Sequence, residues 1–169
     1  DKLRNSELPL HFVLRAKTLP NRHAMLLISY GGLDIIDSLG RTALHVAITY
    51  NADIGIIEAI LDGFVQASNM LTATNLLPVE IALRKNSDRN VIQLLISGYV
   101  GDRTAVLTLT RKELELSLIR MIDRYPERLS VLDKNGNAPI HWAIERNVDP
   151  KLIKQMLELH PNLINILGD

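Results

Sequence analysis

Three stretches of this chain repeat one arrangement of apolar residues. Ile56, Ile57, Ile60 and Leu61 recur as Val91, Ile92, Leu95 and Ile96, and again as Leu152, Ile153, Met156 and Leu157. Four apolar positions at i, i+1, i+4 and i+5 fall on one stripe of an α-helix, so each stretch predicts an amphipathic helix seeking a partner. An aspartate precedes each stripe, at Asp53, Asp88 and Asp149, where its carboxylate can cap the open amides of the first turn. Stops change along the chain. The early helices are expected to end near Gly31, Gly63 and Gly98, the late ones at Pro126 and Pro161.

A shorter helix is predicted upstream of each stripe, from Thr42 to about Tyr50 and from Ala138 to about Arg146. Its start repeats a spelling: Thr42-Ala43-Leu44-His45-Val46-Ala47 and Ala138-Pro139-Ile140-His141-Trp142-Ala143. Weaker copies stand at Leu8-Pro9-Leu10-His11 and Leu77-Pro78-Val79-Glu80. The four copies lie 34, 35 and 61 residues apart. Proline is tolerated in a first helical turn, as at Pro9, Pro78 and Pro139. Asp37 to Gly40 and Asp133 to Gly136 are turn chemistry, with an Asx residue first and glycine for the left-handed position. A gap of 61 residues is too long for one unit and short for two. Met121 to Leu132 nevertheless matches Met156 to Leu167 at 35 residues, so five units fit: approximately 1–36, 37–71, 72–100, 101–132 and 133–167. The fourth is irregular at its front, where Arg103-Thr104-Ala105-Val106 matches nothing. Thr110 with Glu113 can form a capping box that restarts a long second helix through Tyr125.

A unit of turn, helix and helix with a period near 33 residues and a Thr-Pro-Leu-His-like tetrad after a glycine resembles the ankyrin repeat. The resemblance covers roughly residues 1–100 and 128–169. Departures are Glu80 in place of the histidine, Leu8 and Leu77 in place of the threonine, and Val13 in place of the alanine matched by Ala47, Ala82 and Ala143. It implies a single all-α domain, an ankyrin-repeat-like solenoid of about five helix-turn-helix units, each contacting chiefly its neighbours. It also implies that His11, His45 and His141 clip the turn to its helix by bonding backbone, and that turn tips and first-helix ends present a concave surface to a protein partner.

Composition narrows the chemistry. Nineteen Lys and Arg balance nineteen Asp and Glu over 169 residues, which argues against a general nucleic-acid binder. No apolar run approaches the eighteen or so residues needed to cross a bilayer. With no cysteine, disulfides, thiolate zinc sites and a cysteine nucleophile are excluded. That fits a reducing, cytoplasmic location, with delivery into a host cell left open. The chain starts at Asp1 without an initiator Met or signal sequence, and is read as a piece of a longer protein.

No catalytic residue, cofactor or metal site is expected. Histidines one unit apart stand about 10 Å from each other, the spacing of packed helices, too far to share a zinc ion with bonds near 2 Å. No phosphate-binding loop, nucleophile elbow or His-Glu-x-x-His appears. The candidate partner-binding residues are Leu39 and Arg41 on a turn tip, Tyr50, Arg84 and Lys85 at first-helix ends, and Trp142, Glu145 and Arg146 on the last first helix. Trp142 has two readings, packing between units or anchoring a partner. The surface is expected to take a protein, with an acidic segment suited to its basic residues. Two other roles stay open on sequence grounds: a targeting or autoinhibitory segment of a larger enzyme such as a microbial effector, and an architectural spacer. Oligomeric state is not legible.

Overall fold

The computed structural model describes residues 8–16, 19–98, 106–133 and 135–166. Among them are nine α-helices and no strand. The helices are α1 (Pro9–Arg15), α2 (Asn21–Ser29), α3 (Ala43–Thr49), α4 (Ile54–Gly63), α5 (Pro78–Arg84), α6 (Arg89–Gly98), α7 (Arg111–Arg124), α8 (Pro139–Glu145) and α9 (Pro150–Leu159). Short 3-10 turns at Val65–Asn69, Pro126–Ser130 and Pro161–Asn165 follow α4, α7 and α9.

The boundaries follow from side-chain chemistry. Asp53, Asp88 and Asp149 each accept the amide two residues on, at Gly55, Asn90 and Lys151, over 2.8, 2.7 and 2.9 Å. These bonds satisfy donors that the helix itself leaves open. The seven-residue helices α3, α5 and α8 end alike. Asn51, Asn86 and Asn147 take φ of 54°, 51° and 52°, a left-handed conformation that Asn tolerates better than most residues. The next amide then turns back to the helix, from Ala52 to the Ala47 carbonyl, from Ser87 to Ala82 and from Val148 to Ala143. That is the Schellman closure, and it fixes where the next helix begins.

The chain divides into two compact units, one up to Ile92 and one from Gln93, with the division inside α6. In the first, α1 pairs with α2 and α3 with α4, while α1 packs on α3, α2 on α4 and α3 on α5. Leu44, Ile48, Ile57, Ile60 and Leu61 are fully buried there, each contributing roughly 1.5–3 kcal/mol by removal from water. α4 ends at Gly63 as expected, but not through a left-handed glycine: Phe64 leaves the helix at φ −156° and ψ 76°. A Cβ on Gly63 would stand 2.6 Å from the Leu33 side chain, so this glycine makes room for a neighbour.

In the second unit, α7 packs against α8, α9 and the 3-10 turn at Pro126–Ser130. Leu114, Leu118, Met121, Leu129, Trp142 and Met156 form its core. α7 runs fourteen residues, one turn longer than the ten of α9. Its start is the expected capping box. The Thr110 amide reaches Glu113 Oε2 at 2.7 Å, and the Glu113 amide reaches Thr110 Oγ1 at 3.3 Å. The tetrad position of the fourth unit falls at 103–106, and all of it but Val106 lies outside the described residues.

Candidate recognition surface

The turn at Asp37 is organised by one carboxylate. Asp37 Oδ1 accepts the amides of Leu39 and Arg41, each at 2.9 Å, and Oδ2 receives the Arg41 guanidinium, with Nε at 2.8 Å and Nη2 at 2.7 Å. Burial pushes the Asp37 carboxyl upward, but the Arg41 side chain and the two amides outweigh it and hold the group below its ordinary value. Gly40 closes the turn at φ 69°, and a Cβ there would meet the Ala73 amide nitrogen at 2.7 Å. That approach lets the Ala73 amide bond the Leu39 carbonyl at 3.1 Å, which joins one turn to the next. The second turn of this pair, Thr72–Asn75, was not foreseen. Thr72 Oγ1 accepts the Leu76 amide at 3.1 Å and Asn75 supplies φ of 56°, so threonine and asparagine replace aspartate and glycine.

Each histidine of the repeated tetrad bonds backbone, as the resemblance implies, and the carbonyl it holds lies 25 to 31 residues further on, a distance the sequence reading did not state. His45 Nδ1 accepts the Thr42 amide at 3.2 Å, which leaves the proton on Nε2 to bond the Leu76 carbonyl at 3.3 Å. His141 repeats the pattern with the Ala138 amide at 3.0 Å and the Ile166 carbonyl at 3.2 Å, and His11 reaches the Arg41 carbonyl at 3.1 Å. His45 and His141 therefore fix their own helix starts, and all three imidazoles grip backbone 25 to 31 residues further on, while His11 Nδ1 is buried without a partner among the described residues. Glu80 does only the first half, accepting the Leu77 amide at 2.7 Å, because an ionised carboxylate has no proton to donate. Burial is the largest influence on His45 and holds its pKa below the ordinary value, against the pull of its backbone partners. Among the described residues no group of three His, Asp or Glu side chains is placed to hold a metal ion.

Two clefts open beside the Asn51–Ala52 loop in the first unit. One, of about 290 Å³, is lined by Leu14, Ala24, Tyr50 and Asp53 among others. Its neighbour, of about 240 Å³, is lined by Ile57, Lys85, Asn86 and Asp88, and both include Asn51 and Ala52. Tyr50 and Lys85 thus stand at adjacent clefts. Tyr50 is half-buried at the end of α3, where its phenol joins Asp37 in stabilising the Arg41 cation; these two partners overcome burial and raise the Arg41 pKa. Arg84 and Lys85 are exposed, and no hydrogen bond or ion pair engages either side chain among the described residues.

The remaining candidates separate by environment. Leu39 is exposed at the turn tip, while Arg41 is committed to Asp37. Trp142 is 2 % exposed within the second unit, so its indole packs in the core and leaves the candidate surface. Glu145 is exposed. Arg146 is half-buried, and its guanidinium donates to the Leu109 carbonyl rather than facing a partner. Among the described residues no helix is long and apolar enough to cross a membrane. No family model, curated protein or solved structure matches this chain.

Proposed function

We propose that this chain is an ankyrin-like repeat module that recognises a protein partner and carries no catalytic machinery of its own. One observation supports the reading above others: the histidine at the repeated station holds a backbone carbonyl 25 to 31 residues further on in three copies, and in two of them, His45 and His141, it also anchors its own helix start. A residue used three times in one structural role is scaffold chemistry. What the scaffold presents in the first unit is the Leu39 turn tip, the Tyr50 and Lys85 clefts, and the uncompensated cations of Arg84 and Lys85. An extended or helical acidic segment with an apolar anchor fits that surface, since charge gives selectivity and buried aromatic or Arg contacts give affinity.

The test is capture from a cytosolic extract by the wild-type chain and by the double reversal Arg84→Glu, Lys85→Glu. The reversed protein should lose the partner while keeping its helical signal and melting temperature, because exposed charges contribute little to folding. Binding to the wild type should weaken with salt, given a screening length of about 8 Å at physiological ionic strength. A partner held equally by both proteins, at low and high salt alike, would move the site away from α5.

A further inference from the structure

The three 3-10 turns share a buried position, the third of their five residues. It is held by Ala67 in Val65–Asn69, by Arg128 in Pro126–Ser130 and by Leu163 in Pro161–Asn165, with 0 %, 6 % and 3 % of the residue exposed. Alanine and leucine go there without difficulty. Arginine carries a charge, and burying a charge is costly unless it is paired. No hydrogen bond or ion pair engages the Arg128 side chain among the described residues. Its neighbour Glu127 is exposed and favours the cation, but burial outweighs that influence and pulls the Arg128 pKa below its ordinary value. Asp133 Oδ2 is also buried without a partner among the described residues, yet no ion pair joins it to Arg128. The helix packed on this turn, α8, is short of acceptors as well, since Trp142 Nε1 is buried and donates to nothing among the described residues.

Packing does not demand an arginine here, because Ala67 and Leu163 fill the same position in the other turns. What arginine adds is a fixed charge and a fork of N–H donors. Nε is sealed from solvent, which leaves the Nη edge as the side that a group from outside can reach. We infer that Arg128 is an oxyanion-binding residue, whose Nη edge takes a carboxylate or phosphate group from outside the chain. Two parallel N–H donors match two oxygens of either group, and such charge-assisted bonds supply the acceptors and the countercharge that the surrounding fold withholds. The group that enters is small, since only 6 % of Arg128 is open. This site lies in the second unit and needs nothing from the Arg84 and Lys85 surface of the first.

Thermal unfolding in sodium phosphate, sodium acetate and sodium chloride at matched ionic strength tests it. The wild-type melting temperature should rise by a few degrees over chloride along a one-site saturation curve. A rise in phosphate alone assigns the site to phosphoryl groups, a rise in acetate alone assigns it to carboxylates, and a rise in both supports the shared chemistry. Arg128→Leu, which copies Leu163, should melt alike in all three salts. Equal gains in the wild type and in Arg128→Leu overturn the inference, because excluded salts stabilise any fold in that way. A wild type that gains from neither anion overturns it too. Should Arg128→Leu not fold, the Arg128 Nε–H resonance of the wild type takes its place. It should shift to a plateau as phosphate or acetate is added, and a resonance that stays put with both overturns the inference.

Discussion

The second helix pair, α3 with α4, and the last, α8 with α9, carry the same instructions and arrive at different energetics. In both, a turn carboxylate binds two amides, a tetrad histidine takes its own N-cap amide and grips a distant carbonyl, and an asparagine closes the first helix. Yet His45 and Ile48 are buried, while His141 is partly open and Ile144 lies in solvent. The turns differ too. Arg41 pairs with Asp37 Oδ2, whereas Asn137 stands at the matching place and Asp133 Oδ2 is buried without a partner among the described residues. The bonding scheme is local and travels with the sequence of each unit. Its contribution to stability comes from the units on either side, so one motif has two values in one molecule.

The largest effect should come from the apolar station. Ile48→Ala is expected to cost about 2–5 kcal/mol, the range for truncating a fully buried aliphatic side chain. Ile144→Ala should stay within about 0.5 kcal/mol, as at other exposed sites. Urea unfolding of the two variants measures both. Similar values at the two sites would break the comparison, because they would mean that neighbours do not decide the contribution of this station.

Next in size is the histidine. Removing the His45 ring orphans the buried Thr42 amide and the Leu76 carbonyl, at roughly 1–3 kcal/mol for each group that stays out of water. His141→Ala should cost less, since its site is open enough for water to replace the ring. The pH dependence sharpens the contrast. Burial depresses the folded-state pKa of His45 below 6.5, so the unfolded chain binds the proton more readily. The stabilisation from neutral His45 is therefore complete above pH 6.5 and is lost as pH falls through the lower folded-state value. His45→Ala should flatten this slope in a comparison of unfolding midpoints. A slope identical to wild type would assign it to another group.

Much of this was legible in the sequence because the signals are local. Asp53, Asp88 and Asp149 cap the helices they precede, Gly40 and Gly136 take positive φ, and the stripe of Ile56, Ile57, Ile60 and Leu61 is buried. The Thr72–Asn75 turn escaped because it has neither Asx first nor glycine last. Counting 35 residues on from Asp37 and Gly40 lands on Thr72 and Asn75, and this register was the available signal. Asn51, Asn86 and Asn147 recur with the same spacings and could have been read as helix closures. Burial was less accessible. Phe12 and Val46 each follow a tetrad histidine, and nothing in either residue records that the first is exposed and the second buried. The surface candidates divided for a related reason: a residue type marks Trp142 and Arg146 as capable of recognition, but packing decides whether the group remains free.

The smallest expected effect is the one that separates the two turns. Arg41→Asn converts the first turn to the residue found at Asn137 and keeps the two amide bonds to Asp37 Oδ1, while removing the cation from Oδ2. The Arg41 side chain is 16 % exposed and already ordered by the turn, so the loss at neutral pH should be about 1 kcal/mol, near the upper end for exposed ion pairs. Its acid dependence has a definite sign. Asp37 has a folded-state pKa below 3.8, so its favourable contribution is complete above 3.8 and disappears as pH falls through the folded value. The gap between the urea curves of wild type and Arg41→Asn should therefore close as pH is lowered below 3.8. A gap that persists there would show that Arg41 stabilises the turn through its aliphatic stem or through Tyr50 rather than through the Asp37 charge. The two turns would then differ in packing, and the unpartnered Asp133 oxygen would not account for their difference.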